Sequence, residues 1–174
     1  VPNKERQFVK LGSMLSGNTF VNAHSSSLMF AMGKNVANVK VYGDISKMIH
    51  MLVAGSSGSG KSVFLGALII SLISPQELRL ILIDPKKTEF VLYNNLPHLM
   101  INEIITDANK AVQSLNWAIG EMNRRYALFE QMSLSETYVV NLDEYNAQLV
   151  KKGQKDERLP KIVIIIDELA DLML

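Results

Sequence analysis

The chain has 174 residues and a formal net charge of +1, and 48% of its residues are hydrophobic. This length and composition suit a soluble α/β domain with a core, while a charge near zero gives no indication of nucleic-acid binding. The absence of cysteine excludes disulfides and thiolate metal sites. The longest apolar stretch, residues 63–73, is too short to cross a bilayer, and no signal peptide is visible. We therefore expect a segment that is neither membrane-spanning nor secreted.

The first 50 residues are predicted to form an entry segment ahead of a nucleotide-binding core over residues 51–174. Residues 1–22 are weakly patterned, and the three serines at 25–27 indicate a loop. Two short apolar runs, 28–32 and 39–42, predict a β-hairpin that packs beside the core.

Residues 55–62 read Gly-Ser-Ser-Gly-Ser-Gly-Lys-Ser, a full match to the phosphate-binding loop known as the Walker A motif. Apolar runs predict a buried strand over 51–54 and a helix over 63–73, which is the context that this motif requires. We expect the three glycines to curl the backbone around phosphate with positive φ angles and without obstructing Cβ atoms. A chance Gly/Ser-rich turn is the alternative, and the strand and helix on either side disfavour it.

The loop predicts a site for ATP with Mg²⁺. Lys61 supplies a charge to the β and γ phosphates, Ser62 offers its hydroxyl to Mg²⁺, and the helix directs its positive end at the same phosphates. ATP is favoured over GTP because the guanine-reading pattern Asn-Lys-x-Asp is absent. The predicted nucleotide contacts are Gly55, Ser56, Ser57, Gly58, Ser59, Gly60, Lys61, Ser62 and Val63.

Further along the chain, strands and helices alternate. A strand is predicted over 78–83, a long helix follows Thr106 as its cap, a second helix covers 141–150, and a strand covers 162–166. This alternation predicts an α/β fold with a parallel sheet flanked by helices. An apolar stripe on the long helix is expected to lie in the core: Ala108, Ala111, Val112, Leu115, Ala118, Ile119, Met122, Tyr126 and Phe129.

The strand over 162–166 delivers two carboxylates at its C-terminal end, where ligands bind in open parallel sheets. Asp167 is placed to hold Mg²⁺, and Glu168 to orient or deprotonate the attacking water. The alternative is that the pair only caps a following helix. Together with the Walker A loop, these residues predict attack of water on a γ phosphate, and therefore an ATPase rather than a kinase.

Five segments together resemble the motor domain of the FtsK/SpoIIIE DNA translocases, over about residues 28–174. Small departures are Ser56 and Ser57 where the family often has threonines, and Ile49 where it often has proline. The segments are residues 47–63, Ile83-Asp84-Pro85-Lys86 with Glu89, Tyr93, Pro97, His98 and Leu99, residues 121–126, Tyr145-Asn146, and residues 167–173.

The resemblance implies a RecA-like P-loop motor that forms a hexameric ring around double-stranded DNA and moves it by ATP hydrolysis in chromosome segregation at cell division. It implies a cytoplasmic domain of a bacterial protein that is membrane-anchored elsewhere, with no membrane contact from this segment. Lys61, Ser62, Asp167 and Glu168 keep the roles given above.

Four further residues are carried over with two interpretations open for each. Asp84 and Lys86 follow a strand, where they either sense the nucleotide or a neighbouring subunit or form a local salt bridge beside a proline turn. Arg124 and Arg125 lie off the apolar stripe of their helix, and they either reach a neighbouring subunit or are solvated, with solvation favoured.

In the RecA-like arrangement, the strand after the Asp-Glu strand lies between it and the Walker A strand. The sequence stops before such a strand, so we expect a fragment, truncated after the Walker B strand, that hydrolyses ATP poorly alone. Two alternative functions stay open. One is a related ring ATPase of protein secretion or conjugative transfer, and the other is a non-enzymatic, nucleotide-gated assembly module.

Overall fold

The computed structural model describes residues 8–23, 28–56, 58–73 and 78–173. The chain divides into two compact units, residues 1–76 and 77–174. The predicted loop at 25–27 and the predicted nucleotide contact Ser57 lie outside the described residues.

The first unit is built on an antiparallel hairpin of β1 (Met29–Lys34) and β2 (Lys40–Asp44). Two short helices, α1 (Leu11–Leu15) and α2 (Asn18–Ala23), precede it, and α3 (Ile45–Met48) follows. Phe30 lies opposite Gly43, where an added Cβ would come within 2.5 Å of the Phe30 ring. Glycine at this position therefore lets the aromatic ring lie directly on the neighbouring strand.

Helix α4 (Lys61–Ile73) packs on β1 through the face that carries Leu65, Leu68, Ile69 and Leu72, all of which are buried. Ser71 is buried on the same helix; its hydroxyl accepts a hydrogen bond from the Ala31 N–H at 3.2 Å and donates to the Ala67 carbonyl at 2.6 Å. The helix that follows the Walker A loop is thus anchored on the hairpin by apolar contacts and one satisfied polar group.

The predicted strand over residues 51–54 does not form, and Leu52 is 84% exposed. A strand is stabilised by its ladder of hydrogen bonds to a neighbour, and no strand in the described ranges pairs with these residues. An apolar run therefore predicted a strand that has no partner here.

The second unit contains β3 (Leu78–Ile83) and β4 (Lys161–Ile166), which pair in parallel from Leu78 opposite Lys161 to Ile83 opposite Ile166. On its other side β3 forms single parallel bridges to Leu99 and Ile105. Strand β3 is therefore bonded on both sides, and its last four residues are buried, as is typical of a parallel sheet covered on both faces. The predicted α/β class with parallel strands and flanking helices is confirmed.

Helix α5 (Ala108–Ser135) is capped by Asp107, whose carboxylate accepts a hydrogen bond from the Lys110 N–H at 3.0 Å. The prediction of Thr106 as the cap is wrong by one residue. The carboxylate is a good acceptor for the helix N-terminus, and its negative charge also complements the helix dipole.

The prediction that the apolar stripe of α5 lies in the core is wrong for the middle of the helix. Ala111 packs near the sheet with Ile81, Ile83 and Ile105, and Phe129 packs in a second cluster near the C-terminal end. Between these contacts four members of the stripe are each about half exposed: Val112, Ile119, Met122 and Tyr126. Periodicity identified an apolar face, but burial requires a neighbouring element, and the contacts within this unit cover the two ends of the face.

Helix α6 (Leu142–Lys151) was predicted over 141–150 and is confirmed. Asn141 accepts a hydrogen bond from the Glu144 N–H at 2.9 Å, and the Glu144 carboxylate accepts from the Val140 N–H at 3.0 Å. A polar N-cap with a reciprocal glutamate three residues later therefore defines the start of the helix.

The segment that leads into β4 is held by two side chains from the helices. The Asn146 amide donates to the Leu159 carbonyl at 2.8 Å and accepts from the Leu159 N–H at 2.9 Å. Arg125 donates from Nη1 to the Pro160 carbonyl at 2.8 Å. These bonds satisfy backbone groups just before β4 begins.

None of the helices in the described ranges has the length and apolar character needed to span a membrane.

Candidate functional site

Two glycines of the Walker A motif have the backbone conformation that a phosphate-binding loop requires. Gly58 has φ of +76° and Gly60 has φ of +96°, and an added Cβ would meet open space at both positions. Any other residue would therefore be strained there for backbone reasons alone. The expected positive φ angles are confirmed at these two glycines.

Gly55 has a different physical reason to be glycine. It does not adopt a positive φ, so that part of the expectation is wrong. An added Cβ at this position would lie 2.2 Å from the Ser59 Oγ. A side chain at the first residue of the loop would therefore require the exposed Ser59 hydroxyl to turn away.

The loop continues directly into α4. The Ser59 N–H donates to the Ser56 carbonyl at 3.0 Å, and the Phe64 N–H donates to the Gly60 carbonyl at 2.9 Å. Lys61 and Ser62 are therefore the first two residues of a 13-residue helix, where backbone N–H groups and the helix dipole favour an anion. Ser62 and Val63 are exposed, with Val63 at 78%.

Asp167 follows β4 directly and is buried, with 3% of its surface exposed. Its N–H donates to the Ile83 carbonyl at 2.9 Å, which extends the parallel ladder by one residue. A buried carboxylate at the C-terminal end of a parallel strand has the chemistry and the place of a magnesium ligand.

Glu168 has a left-handed backbone, with φ of +54° and ψ of +68°. It precedes a short 3₁₀ turn over Leu169–Leu172, and its side chain makes no capping hydrogen bond to that turn. The interpretation of this glutamate as only a helix cap is therefore not supported. A non-glycine residue in this conformation costs on the order of 1 kcal/mol, and such residues cluster at functional sites.

Lys86 lies between two carboxylates. Its Nζ is 3.6 Å from the Glu168 Oε2 and 3.3 Å from the Asp171 Oδ2. The hydrogen bond to Asp171 and the negative charges of both carboxylates raise the pKa of Lys86 above its ordinary value. Sequence reasoning did not single out Asp171, although its place three residues after Glu168 puts it one 3₁₀ turn away.

Asp84 is 1% exposed. Its Oδ2 accepts hydrogen bonds from the N–H groups of Glu89 at 2.9 Å and Phe90 at 3.0 Å. Its Oδ1 is buried and has no hydrogen-bond partner within the described part of the chain. The local salt bridge between Asp84 and Lys86 does not form, because Lys86 pairs with the residues after β4 instead.

Arg124 and Arg125 both pair with Glu121 on their own helix. Arg124 Nε lies 2.7 Å from Glu121 Oε2, and Arg125 Nε lies 2.7 Å from Glu121 Oε1. Hydrogen bonds from Arg124 and then Arg125 lower the pKa of Glu121 to about 2. The interpretation of these arginines as merely solvated is wrong for Arg125, whose side chain is 12% exposed. The spacing of three and four residues on one helix was the signal for this cluster.

The residues present fit a nucleotide with magnesium. The crowding at Gly55 and the positive φ angles at Gly58 and Gly60 are those of a backbone shaped for phosphate. In residues 8–23, 28–56, 58–73 and 78–173, no group of three or more His, Asp or Glu is placed to hold a metal ion by itself. Magnesium commonly binds through one or two carboxylates together with phosphates and waters, so the Asp167 carboxylate taken by itself has suitable ligand chemistry.

Comparison with known proteins gives a consistent result. A family model described as the FtsK/SpoIIIE family matches residues 11–174. A protein of Clostridium tetani named DNA translocase FtsK is 49% identical over 177 residues, which cover 100% of this chain and 23% of the relative. Proteins with the same name from Clostridium acetobutylicum and Campylobacter jejuni are 46% and 43% identical, and the chain covers 22% and 18% of them. The chain thus spans less than a quarter of the length of these relatives.

A solved structure is also similar. It is the conjugation coupling protein TcpA of pCW3, in its monomer form with ATPγS. The TM-score is 0.67 at 28% sequence identity, over 86% of this chain and 38% of that one.

Proposed function

Because this chain belongs to the FtsK/SpoIIIE family, we propose that it is part of an ATPase that moves double-stranded DNA. The observation that carries the proposal is the Walker A loop, where the backbone favours glycine at Gly58 and Gly60 and runs directly into α4. In this proposal, residues 51–174 are the first half of a RecA-like ATPase core, and residues 1–50 are an entry segment that contains the hairpin.

The mechanism assigns one task to each residue of the site. ATP and Mg²⁺, when bound, supply the γ phosphate and a divalent charge that offsets the negative charge developing on it. Loop residues 55–63 hold the phosphates through backbone N–H groups, and Lys61 adds a positive charge. Ser62 and Asp167 would hold the metal, and Glu168 would accept a proton from the attacking water.

The partners follow from the family. We assign double-stranded DNA as the cargo, a hexameric ring as the working assembly, and chromosome segregation at cell division as the process. Three relatives named DNA translocase FtsK support DNA as the cargo. The segment is proposed to be a cytoplasmic domain of a bacterial protein that is membrane-anchored elsewhere.

A second candidate function is conjugative transfer, with protein secretion as the related possibility. The observation that favours it is the likeness to a conjugation coupling protein. The DNA translocase ranks first because its relatives are 43–49% identical over the whole chain, against 28% for the coupling protein.

Glu168→Gln tests the chemical assignment in the full-length protein. The amide cannot accept a proton, so we expect the rate of ATP hydrolysis to fall by about 10²–10⁴-fold while the affinity for a fluorescent ATP analogue is retained. Glu130→Gln is the matched control, because Glu130 is exposed on α5, outside the site. Hydrolysis by Glu168→Gln at the wild-type rate would show that this residue does not activate water.

Stimulation of the full-length ATPase by double-stranded DNA distinguishes a DNA translocase from a protein-secretion ATPase. A translocase is expected to hydrolyse ATP faster when linear duplex DNA is added, whereas a protein pump is not. ATP binding and ring formation with no hydrolysis under either condition would favour the assembly module.

A further inference from the structure

We propose that Lys86, together with Asp171, positions the Glu168 carboxylate to accept a proton from the water that attacks the γ phosphate. Lys86 is a positioning residue, because it acts through Glu168 and not on the nucleotide. The inference rests on the proposed ATPase function of Glu168.

The geometry places one ammonium group between two carboxylates. Lys86 Nζ lies 3.3 Å from Asp171 and 3.6 Å from Glu168. The Asp171 N–H donates to the Glu168 carbonyl at 3.1 Å, so the 3₁₀ turn holds the two acidic residues in a constant relation. We call these three residues the Lys86 bracket.

Glu168 has little else to orient it. Its side chain is 38% exposed, and it makes no capping hydrogen bond. In the described ranges, Lys86 is the one cation that pairs with it. A glutamate side chain has several rotamers in water, and displacement of a catalytic group by 1 Å can cost about 100-fold in rate. The bracket therefore restricts the one side chain whose position the reaction depends on.

The unequal distances also matter. At 3.3 Å the contact with Asp171 is the closer one, while 3.6 Å to Glu168 is longer than an ordinary hydrogen bond. Lys86 therefore acts on the Glu168 carboxylate through its charge and not through a short hydrogen bond.

Lys86 lies in a turn that is held by backbone and side-chain hydrogen bonds. The Lys87 N–H donates to the Asp84 carbonyl at 3.2 Å, and the buried Asp84 carboxylate accepts the N–H groups of Glu89 and Phe90. Because β3 and β4 pair in register, the turn after β3 and the residues after β4 emerge at the same edge of the sheet. The bracket joins these two exits.

Lys86→Met in the full-length protein tests the inference. We expect kcat for ATP hydrolysis to fall by about tenfold or more, and the affinity for a fluorescent ATP analogue to change by less than about twofold. Lys86→Arg, which keeps the charge, is expected to stay within about threefold of wild type. Lys87→Met is the matched control, because Lys87 is the exposed neighbour and is not in the bracket.

Asp171→Asn gives a second, independent measurement. It is expected to lower kcat less than Lys86→Met, and the double variant is expected to be no slower than Lys86→Met alone, because the bracket is already broken. A crystal structure of Lys86→Met should show the Glu168 side chain spread over several rotamers.

The inference is overturned if Lys86→Met hydrolyses ATP at or above the wild-type rate, or if Lys87→Met is equally slow. Thermal unfolding of each variant identifies loss by misfolding, in which case Lys86→Gln and Asp171→Asn decide. Glu168→Gln measured in parallel separates the two proposals. If Glu168→Gln is slow while Lys86→Met is fast, only the positioning role of Lys86 is contradicted. If Glu168→Gln is fast, the proposed role of Glu168 as proton acceptor is contradicted.

Discussion

At the scale of single residues, the chain adopts an unusual backbone conformation just before the Walker A loop. Ile49 has φ of +64° and ψ of −59°, and the His50 N–H donates to the Met48 carbonyl at 2.7 Å across it. This is a γ-turn of the rare, strained kind, formed by a β-branched residue. Proline could not adopt this positive φ. The chain therefore enters the loop through a turn that depends on its own residue at 49.

Asp84 is the residue whose structural role is most directly testable. Asp84→Ala removes the acceptor of two backbone N–H groups, at Glu89 and Phe90. Leaving buried donors unpaired is expected to cost about 2 kcal/mol. Hydrogen exchange at these two amides should become faster by about tenfold or more. Asp84→Asn keeps an oxygen acceptor and should exchange at close to the wild-type rate; equal acceleration in both variants would contradict the assignment.

At the scale of elements, the position of Asp167 and Glu168 depends on the hydrogen bonds that hold the residues before β4 as well as on the pairing of β4 with β3. Asn146 on α6 and Arg125 on α5 hold the backbone at Leu159 and Pro160, just before the strand. Arg125 is itself held by Glu121. Two helices therefore act as a frame for the strand that carries the carboxylates, although neither helix contributes a residue to the predicted catalytic set.

The Glu121 cluster predicts a dependence of stability on pH. The pKa of Glu121 is lowered from 4.5 to about 2 in the folded protein, so its stabilising contribution is present above about pH 4.5 and is lost as the pH falls towards 2. Because Arg124 is half exposed, we expect Glu121 to contribute about 2 kcal/mol to the free energy of unfolding, which is less than the full pKa shift implies.

The measurement is the free energy of unfolding of wild type and Glu121→Gln, by urea denaturation between pH 7 and pH 2.5. The difference should be constant near neutral pH and should shrink below about pH 4.5. Glu130→Gln, at an exposed glutamate of the same helix outside the Glu121 cluster, is the control. A difference that stays constant down to pH 2.5 would contradict the assignment.

At the scale of the whole molecule, the Walker A loop belongs to one compact unit and the Asp-Glu pair to the other. Residues 51–54, which lead into the loop, pair with no strand in the described ranges. Hydrolysis requires metal and phosphate to be held to within fractions of an ångström. A sheet that includes residues 51–54 would supply that rigidity, and this chain spans less than a quarter of its relatives' length.

We therefore expect the isolated 174-residue chain to hydrolyse ATP at least about 100-fold more slowly than a protein of the relatives' full length, since misplacement by 1 Å has a cost of that order. The rate of phosphate release at saturating ATP and Mg²⁺ measures hydrolysis by both proteins. Equal rates would mean that the loop and the carboxylates reach a working geometry without a strand between them. Glu168→Gln in both proteins controls for contaminating ATPases.

Much of the fold was predictable because it depends on local patterns. The bounds of β3, the hairpin region, α6 and the end of α4 all follow from apolar runs, turn residues and caps that act within a few residues. The wrong predictions concern segments whose conformation or burial depends on a neighbouring element. Residues 51–54 have strand character, but no strand among the described residues pairs with them, and the middle of α5 has an apolar face that its own unit leaves exposed.

The sequence by itself determined the class of ligand and the family. The Walker A loop is a continuous run whose glycines and lysine act through local backbone geometry, and the Asp-Glu pair follows one strand. Only the tertiary structure decided that Lys86 pairs with Glu168 and Asp171, and that Asp84 instead holds its own turn. The physical reason is that residues 86 and 168 meet only because β3 and β4 pair in register, and long-range pairing is not encoded in any local pattern.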